Sequence, residues 1–454
     1  MKRSKLLVMV LALILCVSML LVGCSKKDDG MEEVTLTEDE QKDEVVKAFN
    51  QNESLSLSNL NAKETLEQIL GTNVLEVTYK LSEDKKGVFA YKDGYIYADV
   101  GSKMWLYFSG TDAALFRQNQ LTNKWEGTTL GGNEGMAGSI AGGALSKVKI
   151  PEEIKLPELK ASDLTVEDGK VVLSNDYIKA AIKQPDLYKA LTGTETPKDD
   201  VKAAMDGVID SVVDAFKLKV SFRFSGTKLG KLSIAMNLDA SGLSDQMKEA
   251  LPETLKGSVD FSLNDKADAL TGVKVDIEVV ANNVTTKVNA DVKTIMDGNV
   301  IKGLDCSYTV NEKNISIATL DSDTDAEGSI NVYGDVMNTC KFKLDLSKVK
   351  AEKGTKVFEM EGSYSQKAKK FAQTNPLTQK EKELTAEEAG QKLETFNEEF
   401  EMIFGAEVKE SGVISYDGVV RGETVISGTL NFNAAPSMPA VPAEITDFVK
   451  NKMK

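Results

Sequence analysis

From Val74 onward, apolar and polar residues alternate with a period of two. The segments "VLEVTYKL", "KGVFAY", "YIYADV" and "KMWLYF" each place every second side chain on one face, the pattern of half-buried strands. Asp93-Gly94 separates the second and third of these, and this pair favours the positive φ angles of a two-residue hairpin turn. The same alternation fills the chain from Lys217 to about Met360. In "GVKVDIEVV", Val273, Val275, Ile277 and Val279 share one face, and Lys274, Asp276 and Glu278 the other. A dry face backed by a wet one predicts antiparallel sheet covered on one side. Further tight turns are expected at Asp297-Gly298 and Asp417-Gly418.

The period changes to that of a helix in a few places. Residues 37–50 and 61–70 have helical spacing, and Ser174 and Asn175 are capping candidates for a short helix in "SNDYIKAAIKQ". "DDVKAAMDGVIDSVVDAF" puts Val201, Met205, Val208, Ile209, Val212, Val213 and Phe216 on one stripe, the spacing of a helix packed on a core. An acidic amphipathic helix is predicted at about 378–403, with Leu393, Phe396, Phe400 and Ile403 on its apolar side. The pattern predicts an α+β fold dominated by large curved antiparallel sheets, half-barrel-like, with a few amphipathic helices packed on the apolar face.

The first apolar run ends at Leu21-Val22-Gly23-Cys24 and is followed at once by "SKKDDG". Lys2, Arg3 and Lys5 precede the run, so residues 1–23 have the parts of a secretory signal. Leu21 to Cys24 resembles the lipobox of bacterial lipoproteins. That resemblance implies that the thiol of Cys24 carries diacylglycerol and that the mature chain begins there, held to a membrane by its acyl chains. The polar stretch after it cannot bury a core, so residues 24–60 read as a tether. Beyond it we expect a β-rich domain with helices over 61–225, an antiparallel β domain over 226–435, and a tail over 436–454.

Charge and composition narrow the chemistry. The formal net charge is −15, and loss of Lys2, Arg3 and Lys5 with the leader lowers it to about −18. Such a chain is a poor partner for nucleic acid, whose phosphates require Lys/Arg patches. Arginine occurs only at Arg3, Arg117, Arg223 and Arg421, so bidentate recognition of phosphate or carboxylate is scarcely available. The chain has no histidine, which removes Ser-His-Asp and Cys-His catalysis and His-ligated zinc.

The remaining motifs are weak. The glycine-rich stretch 131–144 lacks the Lys-Ser/Thr ending of a phosphate loop and reads as a flap or linker. Asp321, Asp323, Asp325 and Glu327 alternate as in a calcium loop, but Ala326 stands where glycine is needed and Val332 where glutamate is needed, so a hairpin turn is the simpler reading. Ser146-x-x-Lys149 and Ser347-x-x-Lys350 lack the companion motifs of serine–lysine enzymes. No metal and no cofactor is implied. Cys306 and Cys340 fall on what read as the first and fourth of four short strands. Three strand spacings, about 14 Å, favour two free, partly buried thiols over the alternative of a disulfide between them. Tyr95, Tyr97, Trp105, Tyr107 and Trp125 form a dense aromatic group that either lines a slot for a sugar or lipid or packs as cross-strand pairs.

The lipobox, tether, meandering strands and inserted helices together resemble the LolA/LppX-like half-barrel envelope lipoproteins. That resemblance implies a non-enzymatic, membrane-anchored protein outside the cytoplasm that binds a lipid or other apolar molecule between sheet and helices. The alternative is a structural or partner-binding envelope lipoprotein with no small ligand. The anchor is directly testable. In cells fed an alkyne-tagged palmitate, the chain takes up label and Cys24→Ser abolishes it; equal labelling of the variant would remove Cys24 as the acylated residue.

Overall fold

A computed structural model describes residues 36–50, 54–56, 73–129, 153–184 and 199–453, apart from a few short stretches inside these spans. The leader, residues 24–35, 51–53 and 57–60 of the expected tether (Cys24 among them), the helix expected at 61–70, the glycine-rich stretch 131–144, Gly298 and the acidic loop at 321–328 lie outside the described residues. The part of the tether that is described includes a helix whose Val45 is buried in the core. No helix among the described residues is long and apolar enough to cross a membrane.

The first part of the chain contains helix α1 (Glu38–Asn50) and strands β1 (Ser54–Ser56), β2 (Val74–Ser82), β3 (Lys85–Lys92), β4 (Tyr95–Asp99), β5 (Lys103–Ser109), β6 (Asp112–Gln118) and β7 (Trp125–Thr129). Strands β8 (Glu153–Lys155), β9 (Leu164–Glu167) and β10 (Lys170–Leu173) lead into helices α2 (Asn175–Ile182) and α3 (Asp199–Phe216). There follow β11 (Lys219–Ser225), β12 (Lys228–Asn237), the one-turn α4 (Asp245–Lys248), β13 (Thr254–Leu263), β14 (Leu270–Ala281), β15 (Val284–Asp297), β16 (Val300–Leu320) and β17 (Ile330–Asp345). The chain ends with β18 (Lys356–Thr374), β19 (Glu381–Leu384), β20 (Glu398–Glu410), β21 (Val413–Val420), β22 (Glu423–Asn431) and α5 (Ala443–Lys452).

All strands except the separate β1–β8 pair join one antiparallel sheet. Its order is β9 through β18, then β20, β21, β22, then β2 through β7, with β19 beside β20 along the long edge of β18. Nothing among the described residues pairs with the outer edges of β7 and β9, so the sheet is open. Strands β11 and β12 pair from Lys219↔Ala235 to Ser225↔Lys228, which carries the sheet without a break across the boundary expected at 225/226.

Local chemistry explains where the elements begin and turn. Asp93 (φ 53°) and Gly94 (φ 87°) form the expected hairpin turn, both residues in the left-handed region. Thr37 and Glu40 cap α1 reciprocally: Glu40 Oε2 accepts from the Thr37 N–H at 2.8 Å, and Thr37 Oγ1 accepts from the Glu40 N–H at 3.4 Å. Ser174 caps α2 by accepting from the Tyr177 N–H at 3.2 Å, an interaction worth roughly 1 kcal/mol. Helices α1, α2 and α3 cover the dry face at one end of the sheet, where Ile178, Ile182, Ile209, Val212, Phe216 and Phe222 are buried together. Val208 is half exposed, off the buried stripe of α3 that it was expected to share, and the side chains of Val201 and Met205 lie outside the described residues.

Three expectations are corrected. No helix forms at 378–403. Thr385 and Glu388 bond reciprocally as a capping box, but Gly390 (φ 63°) ends the coil after one turn, a single 3₁₀ turn follows at Leu393–Phe396, and Glu398 begins β20. "EEFEMIF" satisfies a period of two as well as that of a helix, and the edge of β18 decides between them: Tyr364 pairs with Phe400 and their rings stack at 5.0 Å. Asp417-Gly418 is not a turn either. Gly418 lies within β21 beneath Phe404, where a Cβ would come within 2.3 Å of the ring, and the chain turns instead at Arg421 (φ 55°) and Gly422 (φ 80°). Finally, the four short strands around the cysteines are two long ones, because Asn314 (φ 60°) is absorbed as a bulge in β16.

The contact between β22 and β2 joins the two halves of the meander, and Gly428 makes it close: a Cβ there would lie 1.8 Å from the Thr78 carbonyl oxygen. Gly428→Val is therefore expected to destabilise the sheet by about 1–3 kcal/mol or more through overpacking. Limited proteolysis should release β2–β7 from this variant faster than from the parent; an unchanged digestion pattern would show that the joint tolerates the side chain.

Candidate functional site

A concavity of about 760 Å³ forms a trough across the middle of the sheet. Its lining is three consecutive register rows spanning β14, β15, β16, β17, β18 and β20. The central row is Val275, Ala290, Tyr308, Cys340, Gly362 and Met402, each directly opposite the next. On one side of it stand Lys274, Asp291, Ser307, Lys341, Glu361 and Ile403; on the other, Asn289, Thr309, Thr339, Ser363 and Glu401. Side chains alternate between faces, so the two flanking rows share the wet face and the central row contributes the backbone of the floor. The trough thus opens on the polar face.

Its chemistry is hydrogen bonding and paired charge. Thr339 Oγ1 and Ser363 Oγ share a hydrogen bond at 2.7 Å across β17 and β18. Lys274 and Lys341 face Asp291, Glu361 and Glu401, so both signs are present and acid is in slight excess. Among the described residues no group of three acidic or cysteine side chains is arranged to hold a metal ion. Apart from Lys274, named only as part of a wet face, none of the trough's polar residues was singled out in the sequence. The signal was there as the wet face of "GVKVDIEVV", but which wet residues stand side by side is set by register between strands.

The aromatic group lies elsewhere, on β4, β5 and β7. Trp105 is 1% exposed and Tyr97 6%, packed with Phe116 and Ala114 against Ile445, Val449 and Met453 at the C-terminal helix. Tyr95, Tyr107 and Trp125 border the same cluster, half-buried. Tyr95 and Tyr107 pair directly across β4 and β5 with ring centroids 4.5 Å apart, and Tyr97 and Trp105 at 5.1 Å. The rings therefore meet one another and α5.

Cys306 and Cys340 are free and buried, on adjacent strands rather than three apart. Tyr308 is opposite Cys340, and Cys306 is opposite Phe342, so the thiols are diagonal neighbours on the dry face. Diagonal Cα atoms in such a pair lie roughly 7–8 Å apart, beyond ordinary disulfide geometry. Burial pushes both thiols above the ordinary range, and Tyr308, which hydrogen-bonds to Cys340, is raised too, chiefly by burial. Elsewhere, burial pushes the Tyr177 hydroxyl up to about 12; that hydroxyl donates to the Pro157 carbonyl at 2.7 Å.

Because the thiols are held neutral, they stabilise the fold below the ordinary thiol pKa, and that contribution is lost as pH rises toward the raised folded values. Alkylation followed by mass spectrometry should find Cys306 and Cys340 unmodified at pH 8 in native buffer and both modified in denaturant, with native labelling growing only at higher pH. Resistance to labelling in denaturant without reductant would instead reveal a disulfide. Compared with family models, with curated proteins and with solved structures, the chain matches none.

Proposed function

We propose that this chain is a lipid-anchored, non-enzymatic envelope protein, held outside the cytoplasm through Cys24, whose half-barrel-like sheet is presented to a protein partner. The observation that carries this reading is where the space lies. The helix-covered end of the sheet is filled by the cluster of Ile178, Ile209, Val212, Phe216, Leu232 and Ile234. The concavity opens on the polar face, lined by hydroxyls, carboxylates and lysines. A pocket for an apolar molecule would be expected to be lined mainly by apolar and aromatic groups. The acidic balance of the chain favours a protein partner over an anionic membrane surface or nucleic acid.

A second reading, carriage of a lipid or other apolar molecule, is favoured by one observation: the dry face between β14 and β20 carries half-buried aliphatic residues such as Val275, Val288 and Val310. Organic extraction and mass spectrometry of the full chain purified from membranes separates the two readings. The partner reading predicts no lipid at a stoichiometric level beyond the acyl chains on Cys24. One defined lipid molecule per chain, bound without a covalent link, would overturn it in favour of carriage.

A further inference from the structure

Sulfur is gathered at one place on the dry face. Gly362 of β18 pairs with Cys340 of β17 on one side and with Met402 of β20 on the other. A Cβ at Gly362 would stand 3.1 Å from Met402 Cε, so the methionine side chain lies over the bare backbone that separates it from Cys340. Cys306 is diagonal to Cys340 across β16 and β17, and Met360 is diagonal to it across β17 and β18. Both thiols are buried, at 7% and 6% exposure, whereas Tyr308 beside Cys340 is 38% exposed, so the edge of the cluster is open to solvent. The two rows that carry these sulfurs hold no charged group: Val292, Phe342 and Phe404 share one, Ala290 and Tyr308 the other. Burial raises the Cys340 thiol, and the Tyr308 hydroxyl acts against this by hydrogen-bonding its sulfur, so a donor already stands beside the ionised form.

We propose that Cys306, Cys340 and Met402 form a binding site for one Cu(I) ion. The spacing that keeps the thiols from a disulfide suits an ion between them. Two thiolate–metal bonds of about 2.3 Å hold the sulfurs roughly 4.6 Å apart, more than twice the length of an S–S bond. Diagonal cysteines reach that separation when their side chains turn toward each other, with Cα atoms staying roughly 7–8 Å apart. The donor set chooses the metal. Thiolate and thioether sulfur select Cu(I), whereas magnesium, calcium and manganese need the oxygen donors that these rows lack. Structural zinc takes four thiolate, imidazole or carboxylate ligands, and here only two thiolates are present. The exchange balances without a redox step. Two S–H bonds break and two Cu–S bonds form, the protons pass to solvent, and the Met402 thioether adds a lone pair. No carboxylate or histidine takes part, so the site is distinct from the acidic and cysteine groupings considered above.

The test is competition for Cu(I), kept reduced with ascorbate under nitrogen, between the full chain purified from membranes and a chromogenic Cu(I) chelator. The parent is expected to take one ion per chain, with an X-ray absorption spectrum of sulfur donors only. Cys340→Ser should abolish this binding. Met402→Leu keeps the side-chain volume, and so the fold, but should weaken binding about tenfold or more. Met337→Leu, on the wet face of β17 and 41% exposed, should leave it unchanged. Circular dichroism of each variant checks that the sheet is intact. A parent that takes no Cu(I) from the chelator overturns the proposal, as does full binding by Cys340→Ser or equal affinity in Met402→Leu and the parent. Zn(II) bound as tightly as Cu(I) would overturn it too. None of these outcomes bears on the partner reading, which rests on the opposite face of the sheet.

Discussion

The pairing of β2 with β22 is the contact on which the remaining organisation depends. It brings residues 74–82 and 423–431 together from opposite ends of the folded chain, with Glu76 opposite Asn431 and Tyr79 opposite Gly428. Thr78 Oγ1 and Thr429 Oγ1 lie 2.6 Å apart, and the Tyr416 hydroxyl donates to the Thr78 carbonyl at 3.0 Å. Without this joint the chain would form two separate meanders with two more open edges, each a template for unwanted pairing. The joint also brings α5 within reach of the aromatic hairpins. Ile445 and Val449 follow β22 in the chain but pack on Trp105 and Phe116, which lie beyond β2. A core cluster is thus assembled from residues hundreds of positions apart by one strand pair.

Stability is spread unevenly along the sheet. One end has a true second layer in α1, α2 and α3, and the β4–β7 region is covered by α5. A third cluster, with Val349, Val357, Val408 and Ile414, closes the ends of β18, β20 and β21. Between these, the middle of β15–β18 depends mainly on backbone ladders and cross-strand pairs. Ion pairs such as Lys256–Glu278 at 2.9 Å and Lys287–Glu278 at 2.7 Å decorate the wet face, but each joins a lysine that is half exposed, so their contribution is small. Fewer buried contacts in the middle imply lower local stability there than at the covered ends. Register is what must be preserved: a slip of one residue would turn Val275 and Tyr308 to the wet face and Lys274 and Ser307 to the dry one.

Several local features were legible in the sequence because their causes are local. Asp93-Gly94 turns because both residues tolerate positive φ, Ser174 caps because its hydroxyl reaches the next turn, and Val273 to Val279 alternate because one face is dry. The misreadings share a different cause. The stretch 378–403 fits two periods, and β18 selects the extended one. Asp417-Gly418 has turn chemistry, but the glycine is used to admit the ring of Phe404. Cys306 and Cys340 were placed three strands apart because β16 and β17 were each read as two short strands, whereas β16 runs on through a bulge at the left-handed Asn314.

The sequence by itself determined the alternation of dry and wet faces, the positions of α1, α2 and α3, the acidic balance, and a chemistry without histidine. Each of these follows from side-chain identity and spacing within a dozen residues. Only the tertiary structure decided that the strands make one open sheet, that β22 meets β2, that the aromatic residues are covered by the C-terminal helix, and that Lys341, Glu361 and Glu401 line a common trough. Those facts depend on which strand edges pair and in what register. Pairing between distant segments is selected by packing and backbone hydrogen bonds across the whole sheet, and these leave no local mark on the sequence.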